Sequence, residues 1–126
     1  MHPPDVLVVD DDADIRAMLG YALGGEFNVR FAANGADALE QLATNPPHAM
    51  ILDVMMPGVD GYDVLEARRE RGLAPHTQVL MLTGRTEERD LVRSWALGAD
   101  AFLSKPTDPE QIAAKLRVHL AAAAGA

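Results

Sequence analysis

The hydrophobic residues of this chain fall into short apolar runs separated by longer amphipathic stretches. Three runs, at residues 5–10, 49–53 and 78–83, are almost continuously apolar, which is typical of strands buried on both faces of a parallel sheet. Residues 28–32 alternate between apolar and polar side chains, which indicates an edge strand with one face in water. A short run at residues 100–104 gives a fifth predicted strand.

Helical periodicity fills the intervals between these strands, and capping or helix-breaking residues bound each helix. The predicted helices run from Asp12 or Asp14 to Gly24, from Asn34 to about Thr44, from Tyr62 to Gly72, from Thr86 or a neighbour to Gly98, and from Asp108 onward. In the last helix, Pro109 suits the first helical position and Gln111 suits a capping box with Asp108. In the fourth, Val92 and Trp95 share one apolar stripe, which predicts that Trp95 has a packing role.

Strands that alternate with helices in this way pair in parallel through right-handed crossovers. The sequence therefore predicts an α/β fold of three layers, with a five-stranded parallel sheet between two layers of helices. The three most apolar strands should be central, and the 28–32 strand should lie at an edge. We expect a single domain over residues 1–126, with its core at about 5–120 and with 121–126 as a tail or the start of a linker.

Composition narrows the functional classes. The chain has 126 residues, and its formal net charge of −8 argues against direct nucleic-acid binding, which needs clustered Lys and Arg. It has no cysteine, which excludes disulfides, zinc–thiolate sites and thiol catalysis. No apolar run approaches the ~20 residues that cross a bilayer, and the first residues lack the pattern of a signal peptide. We therefore expect a cytoplasmic protein without a membrane partner.

Polar side chains follow four of the predicted strands where each strand ends. The carboxyl ends of parallel strands share one rim, where ligands of open α/β sheets bind. The residues at this rim are Asp10, Asp11, Asp12, Asp53, Thr83 and Lys105. Clustered carboxylates repel one another, and a divalent cation or an ammonium group relieves that repulsion. Oxygen ligands without imidazole favour Mg²⁺, or Mn²⁺ in its place, and the hydroxyl and ammonium groups suit phosphoryl oxygens. One acid would then be free to form an aspartyl phosphate.

With these residues in place, the chain resembles the receiver domain of two-component response regulators across about residues 5–120. The matching pieces are Val-Val-Asp10-Asp11-Asp12, Leu-Asp53-Val-Met-Met-Pro57-Gly58-Val-Asp60-Gly61, Leu-Thr83-Gly84, Gly98-Ala99-Asp100-Ala-Phe102-Leu and Ser-Lys105-Pro106. The resemblance implies a flavodoxin-like, CheY-like (βα)5 sandwich with strand order 2-1-3-4-5. It also implies a phosphoacceptor in a His-to-Asp phosphorelay, which is not an enzyme but takes part in its own Mg²⁺-dependent phosphorylation and dephosphorylation.

The resemblance also implies a role for each residue of the rim. Asp53 would accept the phosphoryl group from a sensor histidine kinase or a phosphotransfer protein. Mg²⁺ would be bound by Asp11, Asp53 and the backbone carbonyl of Met55, with Asp10 acting through a water molecule. Thr83 and Lys105 would contact phosphoryl oxygens. Thr83 and Phe102 would form the switch, and the residues that tune the phosphate lifetime would be Met55 and Arg85.

A change at this switch would reach the face formed by the fourth helix, the fifth strand and the fifth helix. A downstream domain or protein, which the sequence does not name, would bind that face, and a phosphorylation-dependent homodimer through it is possible. In DNA-binding members a salt-bridging pair often occupies two positions of this face, which here hold Leu91 and Gln111.

Simpler interpretations stand beside these. Asp12 and Asp60 are first of all helix caps, Thr83 alone would be a strand-end hydroxyl, and Phe102 alone would be a core aromatic residue. The four histidines, His2, His48, His76 and His119, are expected at the surface. Two other functions remain open. The first is an aspartyl phosphatase, which usually needs an acid where Met55 stands, and the second is a receiver-like interaction module not regulated by phosphorylation.

Overall fold

The computed structural model describes residues 2–84, 88–105 and 108–125, without the side chains of 88–90 and 125, and within these ranges five strands alternate with five helices. The strands are β1 (Asp5–Val9), β2 (Asn28–Ala32), β3 (Ala49–Asp53), β4 (Gln78–Thr83) and β5 (Ala101–Ser104). The helices are α1 (Ala13–Leu23), α2 (Gly35–Thr44), α3 (Gly61–Arg71), α4 (Glu88–Ala96) and α5 (Pro109–Gly125). The strands pair in parallel in the order β2-β1-β3-β4-β5, which confirms the predicted fold and strand order.

The core consists of two apolar clusters, because successive strand residues point to opposite faces of the sheet. One cluster joins Leu7, Met50 and Met81 of the strands to residues of α2 and α3. The other joins the alternate strand residues, such as Ile51 and Leu80, to residues of α1 and α5. Every residue of β3 is buried, so this central strand carries its last residue into a region that water hardly reaches.

The starts of the helices follow the predicted caps. Asp12 caps α1 by accepting hydrogen bonds from the backbone N–H groups of Asp14 and Ile15, and Asn34 caps α2. Asp60 caps α3: its carboxylate accepts the backbone N–H of Asp63, and its own backbone N–H donates to the carboxylate of Asp63, a capping box that the sequence analysis did not single out. The predicted cap at Thr86 lies outside the described residues.

Two helices show features that the apolar pattern did not specify. Helix α5 continues to Gly125, into residues that were expected to be a tail or the start of a linker. The run of alanines explains the extension because alanine has the highest helix propensity. On α4 the apolar stripe lies largely at the surface: Val92 is 59% exposed and Trp95 53% exposed, and Trp95 packs edge to face on Phe102 rather than inside the core. Ser94 is the buried residue of this turn, and since β5 is the last strand of the sheet, little core surface lies beyond it to cover the stripe.

Within the described ranges, no helix combines the length and the apolar character that a membrane span requires.

Candidate functional site

The carboxyl ends of the central strands bring three acids together. Asp10 follows β1, Asp11 comes next in the chain, and Asp53 is the last residue of β3. One carboxylate oxygen from each of the three lies within 4.8 Å of the other two. Three convergent carboxylates are hard oxygen donors, so this group is able to hold a divalent metal ion.

Lys105 supplies the positive charge of this cluster. Its Nζ atom lies 3.1 Å from Oδ1 of Asp53 and 3.4 Å from Oδ2 of Asp10. The backbone N–H of Lys105 donates to the carbonyl of Thr83 at 2.8 Å, so the loop after β5 is tied to the end of β4. The ammonium group therefore bridges the buried acids of two strands from a third.

Burial sets the electrostatics of the two strand-end acids. Asp10 is 1% exposed and Asp53 3% exposed. Burial raises the pKa of Asp53 above its ordinary value and the charge of Asp10 adds to that rise, although Lys105 and the backbone N–H of Met55 oppose it. Burial alone would lower the pKa of Lys105, but its interactions with Asp53 and Asp10 outweigh burial and raise it. The ammonium group of Lys105 thus faces two buried carboxylates, and the pKa of one of them, Asp53, is raised.

The loop from β1 to α1 is fixed around Asp10. Its Oδ1 atom accepts the backbone N–H of Asp12 at 2.9 Å, and its own backbone N–H donates to the carbonyl of Ala32 at 3.2 Å. Its carbonyl accepts a hydrogen bond of 2.7 Å from Nη1 of Arg16. The sequence analysis missed Arg16. The signal that could have pointed to it is an arginine in the first turns of a helix that follows three acids.

The loop from β3 to α3 depends on the close approach of a helix to the strand end. The backbone N–H of Gly61 donates to the carbonyl of Val54 at 3.0 Å. A Cβ atom on Gly61 would lie 2.5 Å from the carbonyl oxygen of Asp53, so a side chain at this position would displace backbone. The backbone N–H of Met55 lies 3.3 Å from Oδ1 of Asp53, and Gly58 adopts a φ of 73°, which favours glycine.

The remaining predicted residues lie around this centre. Thr83 is 3% exposed at the end of β4. Phe102 is half-buried on β5 against the core, and its ring meets that of Trp95 edge to face, with centroids 4.9 Å apart and an interplanar angle of 75°. Arg85 lies outside the described residues. The histidines have no part in the centre: His2, His48 and His76 are exposed, and His119 is partly exposed on α5.

Comparison with known proteins agrees with this geometry. The family model of the response regulator receiver domain matches residues 6–117. The chain is 39% identical to Response regulator Rre1 of Synechocystis sp., over 95% of this chain and 53% of that protein, and 38% identical to Response regulator MprA of Mycobacterium tuberculosis, over 91% and 50%. It therefore spans about half the length of these curated relatives.

Among solved structures, chemotaxis protein CheY4 of Vibrio cholerae superposes with a TM-score of 0.85 at 32% identity, covering 92% of this chain and 98% of that one. The fold, the acids at its rim and the match over residues 6–117 lead to one conclusion. This chain belongs to the family of response regulator receiver domains.

Proposed function

We propose that Asp53 is the residue of this receiver domain that accepts the phosphoryl group. The observation that carries the proposal is the position of Lys105, whose Nζ lies 3.1 Å from Oδ1 of Asp53 beside three convergent carboxylates. A nucleophile for phosphoryl transfer needs neighbours that offset the negative charge of the incoming group. Asp53 has both an ammonium group and a candidate metal site next to it.

The proposed reaction moves one phosphoryl group between two residues. A carboxylate oxygen of Asp53 forms a bond to phosphorus while the bond from phosphorus to the donor's imidazole nitrogen breaks, and the imidazole leaves with the bonding electron pair. The donor would be a sensor histidine kinase or a phosphotransfer protein. Bound Mg²⁺ would supply positive charge for the phosphoryl oxygens.

The chain's own residues would hold that ion and the transferred group. Asp11, Asp53 and the backbone carbonyl of Met55 are the proposed ligands, with Asp10 acting through water. The buried hydroxyl of Thr83 and the ammonium group of Lys105 would bind phosphoryl oxygens. Met55 and Arg85 are the proposed determinants of the phosphate lifetime, so the domain would take part in its own dephosphorylation.

We further propose that phosphorylation changes the face formed by α4, β5 and α5. Thr83 ends the strand next to β5, and Phe102 on β5 contacts Trp95 on α4. A shift of Thr83 toward a phosphoryl group would therefore disturb the neighbouring strand β5. The ring of Phe102 on that strand would pass the change to Trp95 at the surface. A downstream domain, a separate protein or a second copy of this chain would bind the changed face.

Acetyl phosphate in the presence of Mg²⁺ tests the phosphoacceptor. Intact-mass spectrometry should find one added phosphoryl group on the wild type and none on Asp53→Ala. Asp12→Asn is the matched control, because it neutralises a neighbouring carboxylate that caps α1 and should still be labelled. Labelling of Asp53→Ala would refute the assignment.

Magnesium separates this function from that of an interaction module that is not phosphorylated. If the acids are arranged for a divalent ion, Mg²⁺ at several times its dissociation constant should raise the melting temperature of the wild type, and Mn²⁺ should do the same. A melting temperature that neither ion changes, together with absent labelling, would favour the interaction module.

A further inference from the structure

Arg16 makes a contact at the acidic rim that the catalytic roles above do not use. It lies on α1, partly buried, and its Nη1 atom donates a hydrogen bond of 2.7 Å to the backbone carbonyl of Asp10. Asp10 is one residue beyond the strand pairings, because β1 pairs with β2 and β3 only as far as Val9. The carbonyl of Asp10 thus lies past the end of the sheet, and the guanidinium group of Arg16 satisfies it.

This contact completes the fixation of Asp10. The backbone N–H of Asp10 is held by Ala32, its Oδ1 by the N–H of Asp12, and its Oδ2 lies 3.4 Å from Lys105. Asp10 is 1% exposed, so water hardly reaches this residue. A buried carbonyl that loses its donor is costly, and the loop would move to find another partner.

We propose that Arg16 is a positioning residue of the metal site, which acts through the carbonyl of Asp10. By fixing the peptide between Asp10 and Asp11, it holds both carboxylates where they converge with that of Asp53 within 4.8 Å. Partners that orient metal ligands typically change metal affinity about tenfold or more when they are removed. The inference rests on the proposed function, since it presumes that these acids bind Mg²⁺.

If only the charge of Arg16 mattered, the opposite effect on Mg²⁺ affinity would be expected. A guanidinium group beside an acidic site repels a divalent cation, so its removal would strengthen Mg²⁺ binding if Arg16 acted only as a charge. Removal weakens Mg²⁺ binding if Arg16 acts by holding the carbonyl. The sign of the change in the dissociation constant therefore separates the two roles.

The test is an NMR titration of the metal-free protein with MgCl₂ at constant ionic strength, followed through backbone amide resonances. Arg16→Met removes the charge and the donor, and we expect its dissociation constant to rise about tenfold. Arg16→Lys keeps a charge and a donor, and it should lie within about threefold of the wild type. Arg30→Met is the matched control. Arg30 lies on β2 and also donates to a backbone carbonyl, that of Asn45 at 2.8 Å, and its loss should leave Mg²⁺ binding unchanged.

Labelling by acetyl phosphate gives a second readout. Arg16→Met should need more Mg²⁺ for half-maximal labelling yet reach the wild-type plateau, because Asp53 and Lys105 remain intact. If Arg16→Met does not give a folded spectrum, Arg16→Gln, whose side chain is shorter than that of arginine, takes its place with the same expectation.

Each outcome decides between the possibilities. An unchanged or lower dissociation constant for Arg16→Met or its Gln substitute, with a wild type that binds Mg²⁺ and is labelled, overturns the role of Arg16 and leaves the proposed function intact. A wild type that neither binds Mg²⁺ nor is labelled overturns both proposals. A rise in the dissociation constant of Arg16→Met that Arg30→Met reproduces would show that the effect is not specific to the contact with Asp10 and would overturn the positioning role.

Discussion

Replacing Lys105 by methionine removes the positive charge that offsets the repulsion between the carboxylates of Asp10 and Asp53. At an effective dielectric of about 20, the separation of 3.1 Å between Nζ and Asp53 corresponds to an attraction of about 5 kcal/mol. Under the same assumption, Asp10 and Asp53, with carboxylate oxygens within 4.8 Å, repel each other by about 3.5 kcal/mol. The lysine side chain is 29% exposed, and part of the attraction offsets its own desolvation. We expect Lys105→Met to lower the free energy of unfolding at neutral pH by about 3 kcal/mol, as when one partner of a buried ion pair is removed.

The pH dependence of this loss follows from the pKa of Asp53. That pKa is raised mainly by burial, and Lys105 is one of the groups that oppose the rise, so removing Lys105 should raise it further. A carboxyl group whose pKa is higher in the folded state contributes stability that is complete below its unfolded pKa and is lost as the pH rises through the folded pKa. The deficit of Lys105→Met should therefore be large at neutral pH and shrink as the pH falls toward 3.8, the ordinary pKa of Asp53.

Urea unfolding in EDTA, at neutral pH and at about pH 5, measures the loss of stability and its dependence on pH. A loss of about 3 kcal/mol corresponds to a melting temperature about 10 °C lower. Lys115→Met is the matched control, because it removes an exposed lysine of α5 and should change stability by less than about 0.5 kcal/mol. A variant as stable as the wild type at neutral pH, or a deficit that is the same at both pH values, would refute the electrostatic account.

Three further predictions concern the same rim. Asp53→Asn should add about 1 kcal/mol of stability and raise the melting temperature in EDTA, because it removes a buried carboxylate whose pKa is raised. The change in melting temperature that Mg²⁺ produces in the wild type should disappear in this variant. A melting temperature below that of the wild type in EDTA would contradict the prediction. Gly61→Ala should lower the free energy of unfolding by about 1–3 kcal/mol and weaken Mg²⁺ binding, because its Cβ would lie 2.5 Å from the carbonyl oxygen of Asp53. Gly25→Ala is the control: open space surrounds this position, so the substitution should leave the free energy of urea unfolding unchanged. Acetyl phosphate should change the fluorescence of Trp95, the single tryptophan, through its contact with Phe102, and an equal change in Asp53→Asn would exclude phosphorylation as the cause.

The sequence was sufficient to predict the sheet and the acids at its rim because both depend on local patterns. A continuous apolar run predicts a buried strand, and the residue after it must lie at the carboxyl end wherever the strand stands in a parallel sheet. Asp10, Asp53 and Lys105 were therefore assigned to one rim before their distances were known. The central position of β1, β3 and β4 followed from their apolar character in the same way.

Features that depend on packing between elements could not be read in this way. The stripe of Val92 and Trp95 is helical in its spacing, but spacing does not say whether a neighbouring element covers it, and at the last strand of the sheet none of the described residues bury it. The capping box of Asp60 and Asp63 was missed because aspartate replaces the usual glutamate or glutamine at its third position.

The contacts that the sequence analysis missed are also those that determine how firmly the site is held. The two strand-end acids stand on backbone segments that are fixed from outside the rim. Asp10 is held by the guanidinium group of Arg16, and Asp53 by a helix that approaches because Gly61 has no side chain. Any parallel sheet whose strands end in acids would bring carboxylates to one rim. Their convergence requires a fixed backbone, since the like charges of Asp10 and Asp53 oppose it in the absence of metal. Variants of Arg16 and Gly61 should therefore change Mg²⁺ affinity while every proposed ligand remains in place, and this separates a preorganised site from a cluster of acids.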